Sequence, residues 1–341
     1  MVRLYGSSSP LLFLSRARRP ESLKALPASL RERARAALER AERRAGRLAL
    51  AHGRELDLSG APAVMGVVNV TPDSFSDGGL HFDRTAAVER ALELFAEGAA
   101  IVDVGGESTR PASYGAAEPV SPEEEKARVL PVIEGIRRRT DAPLSVDTRK
   151  ADVARGALAA GADAVNDVSA LRHDPAMAGA VAEAGAGAIL MHMKGDDPRT
   201  MQDDTTYRHP VADVAERLAA AATAALEAGV APDRIAIDPG LGFGKSADGN
   251  LVLLRHLSAF RTLGFPLAVG ASRKGFVRRY SGVEPDSSSA DRLPGSLAAA
   301  AAAARAGAAI LRVHDVADTV RYLRMARAIS SPSPAGVEAA R

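Results

Sequence analysis

The chain has 341 residues, 46% of them hydrophobic but only 4% aromatic, with neither tryptophan nor cysteine. A disulfide framework, a thiolate metal site and a cysteine nucleophile are thereby excluded. No apolar run approaches the ~18 residues that cross a bilayer, and a nucleic-acid role lacks its basic face interleaved with aromatics. The net charge of +2 conceals an asymmetry: residues 1–60 hold 13 Lys and Arg against 6 Asp and Glu, leaving 31 against 36 for the rest.

Residues 1–60 read as a basic, partly helical extension that a catalytic core does not need. Met1–Pro20 carries four Arg, four Ser and no acid. Ser29-Leu-Arg-Glu32 has the form of a capping box. Leu30, Ala34, Leu38, Ala41, Ala45 and Leu48 lie at helical spacing, predicting a helix over about 29–50 with Arg on its other faces. The bland reading is a solvated helix packed on the N-terminal side of the main domain. The Arg- and Ser-rich start also has the composition of an organelle presequence, although the Ala/Arg bias runs through the whole chain.

From residue 63 strand-like and helix-like segments alternate, and most strands end in a reactive cluster. Ala63–Asn69 empties into Asn69-Val-Thr-Pro-Asp-Ser-Phe-Ser-Asp-Gly-Gly79 and precedes a helix over Arg84–Glu97. Ala100–Gly105 leads into Gly105-Gly-Glu-Ser-Thr-Arg-Pro111 and a helix over Pro122–Arg138. Pro143–Asp147 closes in Ser145-Val-Asp-Thr148, before a helix over Lys150–Ala160. Ala164–Asn166 ends at Asn166-Asp167, with a helix over Asp174–Ala184. Gly187–Met191 runs into Met191-His-Met193 and a helix over Val211–Ala228. Ile235–Asp238 opens onto Asp238-Pro-Gly240 and a helix over Gly249–Leu263. Pro266–Gly270 delivers Ser272-Arg-Lys274, with a helix over Ser289–Ala306. Ala308–Arg312 closes the series in Arg312-Val-His-Asp315, with a last helix over Asp315–Ala328. Eight strands each followed by a helix predict a (β/α)8 TIM barrel over 61–330, with 331–341 as a flexible tail. Such barrels carry their active sites at the C-terminal face of the strands.

The clusters define a chemistry. Asp238-Pro-Gly-Leu-Gly-Phe-Gly-Lys-Ser246 is no phosphate loop, because three residues separate Gly240 from Gly244 where four are required. His192 reads as a hydrogen-bonded wall residue, and without a multi-His cluster a zinc site is not expected. Asp147, Asn166 and Asp238 come from three strand ends and together suit a heterocycle rich in N–H donors, with Lys274 over or beside it. Arg312 and His314 alternate along the last strand and with Asn69, Thr109 and Arg110 form an anion-binding rim. Asn69 is a hard oxygen donor suited to a Mg²⁺ that keeps most of its waters and bridges to substrate phosphates.

These blocks, in this order over residues 60–328, resemble the dihydropteroate synthases. The resemblance implies condensation of 6-hydroxymethyl-7,8-dihydropterin diphosphate with 4-aminobenzoate, giving 7,8-dihydropteroate and diphosphate. It implies that Asp147, Asn166, Asp238 and Lys274 hold the pterin, that Asn69 ligates Mg²⁺, and that Thr109, Arg312 and His314 contact the diphosphate. Phe75, Asp77, Ser108, Arg110 and Pro111 would lie near the aminobenzoate, with Phe243 and Ser272 lining the same pocket. Asp77, Asp147, Lys274 and Arg110 are expected to act on the reaction itself, a dissociative, SN1-like step. A cytoplasmic homodimer is implied, formed through the later helices with the Ala-rich 296–306 segment as a candidate contact. One departure is Ala112 where the family has Gly, followed by a longer loop, which bears on aminobenzoate and sulfonamide binding. The competing readings are a methyltetrahydrofolate-corrinoid methyltransferase, which needs no diphosphate rim, and an inactive pterin-binding paralogue acting through a partner.

Overall fold

The structure, a computed structural model, describes residues 27–42, 46–71, 84–108, 119–284 and 287–330. Strands β3 (Ala63–Asn69), β4 (Ile101–Gly105), β5 (Leu144–Asp147), β6 (Ala164–Asp167), β7 (Gly187–Met191), β8 (Ile235–Asp238), β9 (Ala268–Val269) and β10 (Ile310–Val313) form one parallel sheet. The neighbour order is β8-β7-β6-β5-β4-β3-β10-β9. A bridge between Ile237 and Leu267 joins the two ends, closing the sheet into a barrel. Helices α2 (Arg84–Glu97), α3 (Pro122–Arg137), α4 (Ala151–Ala159), α5 (Met177–Glu183), α6 (Pro210–Glu227), α7 (Ala247–Arg255), α8 (Gly275–Tyr280), α9 (Leu293–Arg305) and α10 (Val316–Ser330) accompany it.

Alternation along the strands divides the apolar residues into two sets. Val64, Val102, Val146, Val165, Ala188 and Leu311 belong to the outer core shared with the helices. Met65, Ile101, Ala164, Ile189, Ala236, Ala268 and Ile310 form a separate buried cluster that fills the barrel's lower interior. The charged residues that build the site lie further along the same inward-facing rows. No helix among the described residues is long and apolar enough to cross a membrane.

The helix predicted over 29–50 is corrected by the structure. Helix α1 spans Ala28–Glu42, buries Ala34 and Ala41, and packs beside the 3-10 turn Leu257–Leu263, where Arg40 Nε donates to Thr262 O at 3.0 Å. Ala45 lies outside the described residues. Leu48 belongs to an antiparallel hairpin of β1 (Arg47–Ala49) and β2 (Glu55–Asp57). The reason is periodicity: Leu48, Leu50, Leu56 and Leu58 repeat every second residue, which a strand can place on one side and a helix cannot. All four are buried in the cluster inside the barrel, so the hairpin forms the floor of the barrel, and residues 46–60 are part of the core. Asp163, fully buried at the start of β6, holds the hairpin turn. It accepts from Arg54 Nη1 at 3.0 Å and Arg137 Nη2 at 2.8 Å, while Arg234 Nη1 donates to Leu50 O at 2.7 Å.

Smaller differences obey the same logic. The segment predicted as one helix over Gly249–Leu263 is α7 followed by the 3-10 turn, and Pro266–Gly270 pairs as a strand only at Ala268–Val269. Leu50 is 1% exposed, and a Leu-to-Ala change at such a site costs about 2–5 kcal/mol through lost transfer energy and a cavity. We expect Leu50→Ala to lower urea stability by that amount while leaving turnover per folded molecule unchanged. A loss below about 0.5 kcal/mol, the size of an ordinary surface substitution, would show the hairpin to be ornamental.

Candidate functional site

The inward-facing rows bring Asp147, Asn166, Asp238 and Arg312 into one cavity at the C-terminal end of the strands. At its centre Arg312, from β10, donates from Nε to Asp103 at 2.6 Å and from Nη2 to Asp147 at 2.8 Å. Asp103 is fully buried and also accepts from Ser145 Oγ at 2.6 Å and Asn166 Nδ2 at 3.0 Å. Four strands, β4, β5, β6 and β10, thus meet through one carboxylate. Asp103 was missed in the sequence, although a lone charge inside Ile101-Val-Asp-Val-Gly105 was the available signal. Arg312, predicted on the diphosphate rim, also braces these two carboxylates.

Asp238 and Lys274 interact electrostatically across the same cavity. Asp238 accepts from Gly240 N at 2.7 Å, which folds the β8 loop back on its own strand end. Gly240 is required there: its φ is +66°, and a Cβ would come within 2.0 Å of His192 O. Lys274 Nζ bonds to Leu241 O and sits 4.6 Å from the centre of the Phe243 ring, a cation–π contact. Lys274 is delivered by the Ser272-Arg-Lys274 turn, where Arg273 takes the left-handed φ of 60°. Arg273 N donates to Ser296 Oγ at 3.0 Å and Arg273 Nε to Asp315 at 3.1 Å. Ser272 Oγ lies 3.1 Å from His314 Nδ1, so those two predicted residues are neighbours.

Burial sets the charge states. It pushes the Asp147 carboxyl up to about 7, against the lowering pull of Arg312 and with the help of Asp103 and Glu125. It raises Asp238 as well, with Lys274 opposing. It lowers Lys274 to about 8, Asp238 opposing, and His314 to about 4, with Arg312 adding to the effect. His314 is therefore neutral at pH 7, and the site's permanent cation is Arg312.

Asn69 ends β3, half-buried, beside Gly105, which in turn pairs with Asp147. Among the described residues no group of three or more His, Asp, Glu or Cys side chains could hold a metal. A lone amide oxygen does fit Mg²⁺ that arrives on a diphosphate and keeps its waters. Ser108 is half-buried at the start of the β4 loop. Beside it, Glu107 accepts from Lys150 Nζ at 2.9 Å, while Lys150 also reaches the buried Glu125 at 2.5 Å. Phe75, Asp77, Thr109, Arg110, Pro111 and Ala112 lie outside the described residues. His192, read as a wall residue, is buried with its Nδ1 2.9 Å from Lys245 Nζ.

Residues 65–314 match the family model described as pterin binding enzyme. The dihydropteroate synthase of Escherichia coli (strain K12) is 46% identical over 281 residues, covering 82% of this chain and 96% of that enzyme. The Xanthomonas albilineans dihydropteroate synthase solved with 4-aminobenzoic acid superposes with a TM-score of 0.77 at 46% identity, over 85% of this chain and 100% of that one. The same organism's enzyme in complex with 7,8-dihydropteroate gives a TM-score of 0.74 at 44% identity, over 84% and 100%.

An ionised Asp147 accepts paired hydrogen bonds from an N–H-rich ring and a protonated one does not. Because its pKa is raised to about 7, the competent form is lost as pH falls through that value. Pterin affinity measured by calorimetry is expected to tighten from pH 6 to pH 8. Asp147→Asn should bind more weakly at every pH and show no such step; a flat wild-type profile would remove Asp147 from the pterin wall.

Proposed function

The chain belongs to the pterin binding enzyme family and within it to the dihydropteroate synthases, and from that premise we infer how its own residues perform the reaction. The enzyme is a transferase that condenses 6-hydroxymethyl-7,8-dihydropterin diphosphate with 4-aminobenzoate to give 7,8-dihydropteroate and diphosphate. The observation that carries the residue assignments is the convergence of Asp103, Asp147, Asn166 and Arg312 by direct hydrogen bonds, with Asp238 and Lys274 beside them.

Asp238 and Asn166 offer the acceptors and donor that an amino-pyrimidine edge requires, in a cavity where burial strengthens each bond. Asp147 presents its second carboxyl face to the ring, and Lys274, braced on Phe243 and Leu241 O, lies across it. As the C–O bond of the exocyclic methylene breaks, the electron pair leaves with the diphosphate and positive charge spreads into the dihydropterin. Ionised Asp147 and Asp103, held in place by Arg312, favour that charge without reorientation. The lone pair of the aminobenzoate nitrogen then forms the C–N bond and the nitrogen loses a proton. This order makes the step dissociative, and it needs no covalent intermediate on the chain. Arg312 and the neutral His314, with Ser272 beside it, are assigned to the departing diphosphate. Asp77 and Arg110 are assigned, by the family resemblance alone, to the aminobenzoate side together with Phe75, Ser108, Pro111 and Phe243.

Mg²⁺ held at Asn69 would neutralise charge on the diphosphate oxygens. A homodimer is part of the reading, supported by exposed apolar side chains on adjacent late helices: Leu251 and Val252 on α7 and Tyr280 on α8. In the Ala-rich 296–306 segment, Ala299, Ala300, Ala301 and Ala303 are buried within the protomer, and Ala298 is exposed. A cytoplasmic location is proposed because the substrates are small charged molecules that do not cross a bilayer unaided.

The decisive assay monitors dihydropteroate and diphosphate release from the two substrates with Mg²⁺. Turnover in a one-to-one product ratio that EDTA abolishes is the expected result. Pterin binding without product would remove the synthase assignment, and turnover that survives chelation would remove only the metal.

A further inference from the structure

Outside the barrel, a cavity of about 290 Å³ lies between α6 and the end of β7. Its body is apolar, with Leu171, Met191, Leu218 and Ala221 in its walls, and its charged lining is Arg172, Arg217 and His192. Of these, Met191 continues the inward-facing row of Ile189 and pairs with Asp238; the others come from α6 and from the loops after β6 and β7.

His192 is 4% exposed and is the polar group that makes this cavity unusual. Lys245 Nζ lies 2.9 Å from His192 Nδ1, 3.1 Å from His192 O and 2.8 Å from Phe243 O. Burial lowers the Lys245 ammonium well below its usual range; the tautomer in which Nζ donates to Nδ1 puts the ring proton on Nε2. Nε2 is buried without a hydrogen-bond partner among the described residues, an arrangement that costs about 1–3 kcal/mol unless something accepts from it. Burial, reinforced by Lys245, lowers the imidazole to about 2 and keeps it a neutral donor at physiological pH. Arg172 is turned to Asp196 at 3.3 Å. Arg217, on α6, is exposed and has no ion-pair partner among the described residues.

We propose that this cavity is a second ligand site, for a small monocarboxylate with an apolar body. The carboxylate accepts from His192 Nε2 and faces the Arg217 guanidinium, and the body fills the space walled by Leu171, Leu218 and Ala221. A neutral molecule of the same shape loses the charge pairing, and a dianion buries an uncompensated charge. The site has a route to the pterin cavity: His192 holds Lys245, and Lys245 holds the carbonyl of Phe243, whose ring carries Lys274. A ligand on Nε2 therefore touches a residue two contacts away from the aminobenzoate pocket.

The test is a long-range ¹H–¹⁵N imidazole spectrum of the full-length labelled chain, titrated with benzoate and, separately, with benzyl alcohol. The His192 resonances are expected in the Nε2-protonated form, shifting saturably with benzoate and not with benzyl alcohol. Arg217→Gln, an exposed substitution that leaves folding and basal turnover unchanged, is expected to weaken the apparent Kd about fivefold, the upper range for a surface ion pair. No saturable shift would mean that water alone satisfies Nε2, and the proposal falls. A shift that Arg217→Gln leaves untouched would place the benzoate in the barrel mouth and overturns it equally.

Discussion

Everything in the pterin cavity is arranged around the Arg312 guanidinium held between Asp103 and Asp147. Two carboxylates facing each other across a barrel interior repel in a medium that screens poorly, and the guanidinium makes their presence there tolerable. Its planar fork satisfies both at once, which a lysine at the same place could not do. Removing one member of such a set leaves a buried charge uncompensated and costs about 3–5 kcal/mol. The consequence is architectural as well as electrostatic. Asp103 also gathers Ser145 and Asn166, so the ring-facing side chains of three strands take their orientation from one acceptor.

The same burial that makes the pair necessary tunes its neighbours. Asp147 is pushed up to about 7 and Lys274 is pulled down to about 8, so acid and base approach one another, and Asp238 is raised as well. Such shifts concentrate where a site must favour developing charge. The Ser272-Arg-Lys274 turn delivers the lysine at a cost, since Arg273 occupies a left-handed conformation that its Cβ disfavours. Its amide and guanidinium are both engaged, by Ser296 and Asp315, and this holds the turn against relaxation.

The barrel and the meeting of polar groups at its strand ends were legible in the sequence because buried parallel strands write themselves as apolar runs with punctuation at one end. Asp147, Asn166, Asp238 and Lys274 all belong to that punctuation. Asp103 does not, because it lies two residues before the end of β4, one pleat deeper than the clusters draw attention to. The carboxylate partners of Arg312 are hidden for a related reason: they are contributed by strands 165 and 209 residues away, and no local pattern announces them. The hairpin is hidden differently. Leu48 sits at a spacing that continues the stripe of α1, and the period-two signal emerges only when Leu50, Leu56 and Leu58 are counted with it. The loop residues Phe75, Asp77, Thr109, Arg110 and Pro111 remain assignments of the sequence.

The ring is not equally strong all round. β9 is two residues long, and between it and β8 the sheet is joined by a single bridge, with Ile237 N donating to Pro266 O at 2.9 Å. On its other side β9 is tied to β10 by Ala309 N and Ile310 N, both reaching Leu267 O. Parting the sheet at this seam therefore breaks one bridge where any other seam would break a ladder. The two residues that flank this seam at its upper end are Asp238 and, through the turn after β9, Lys274.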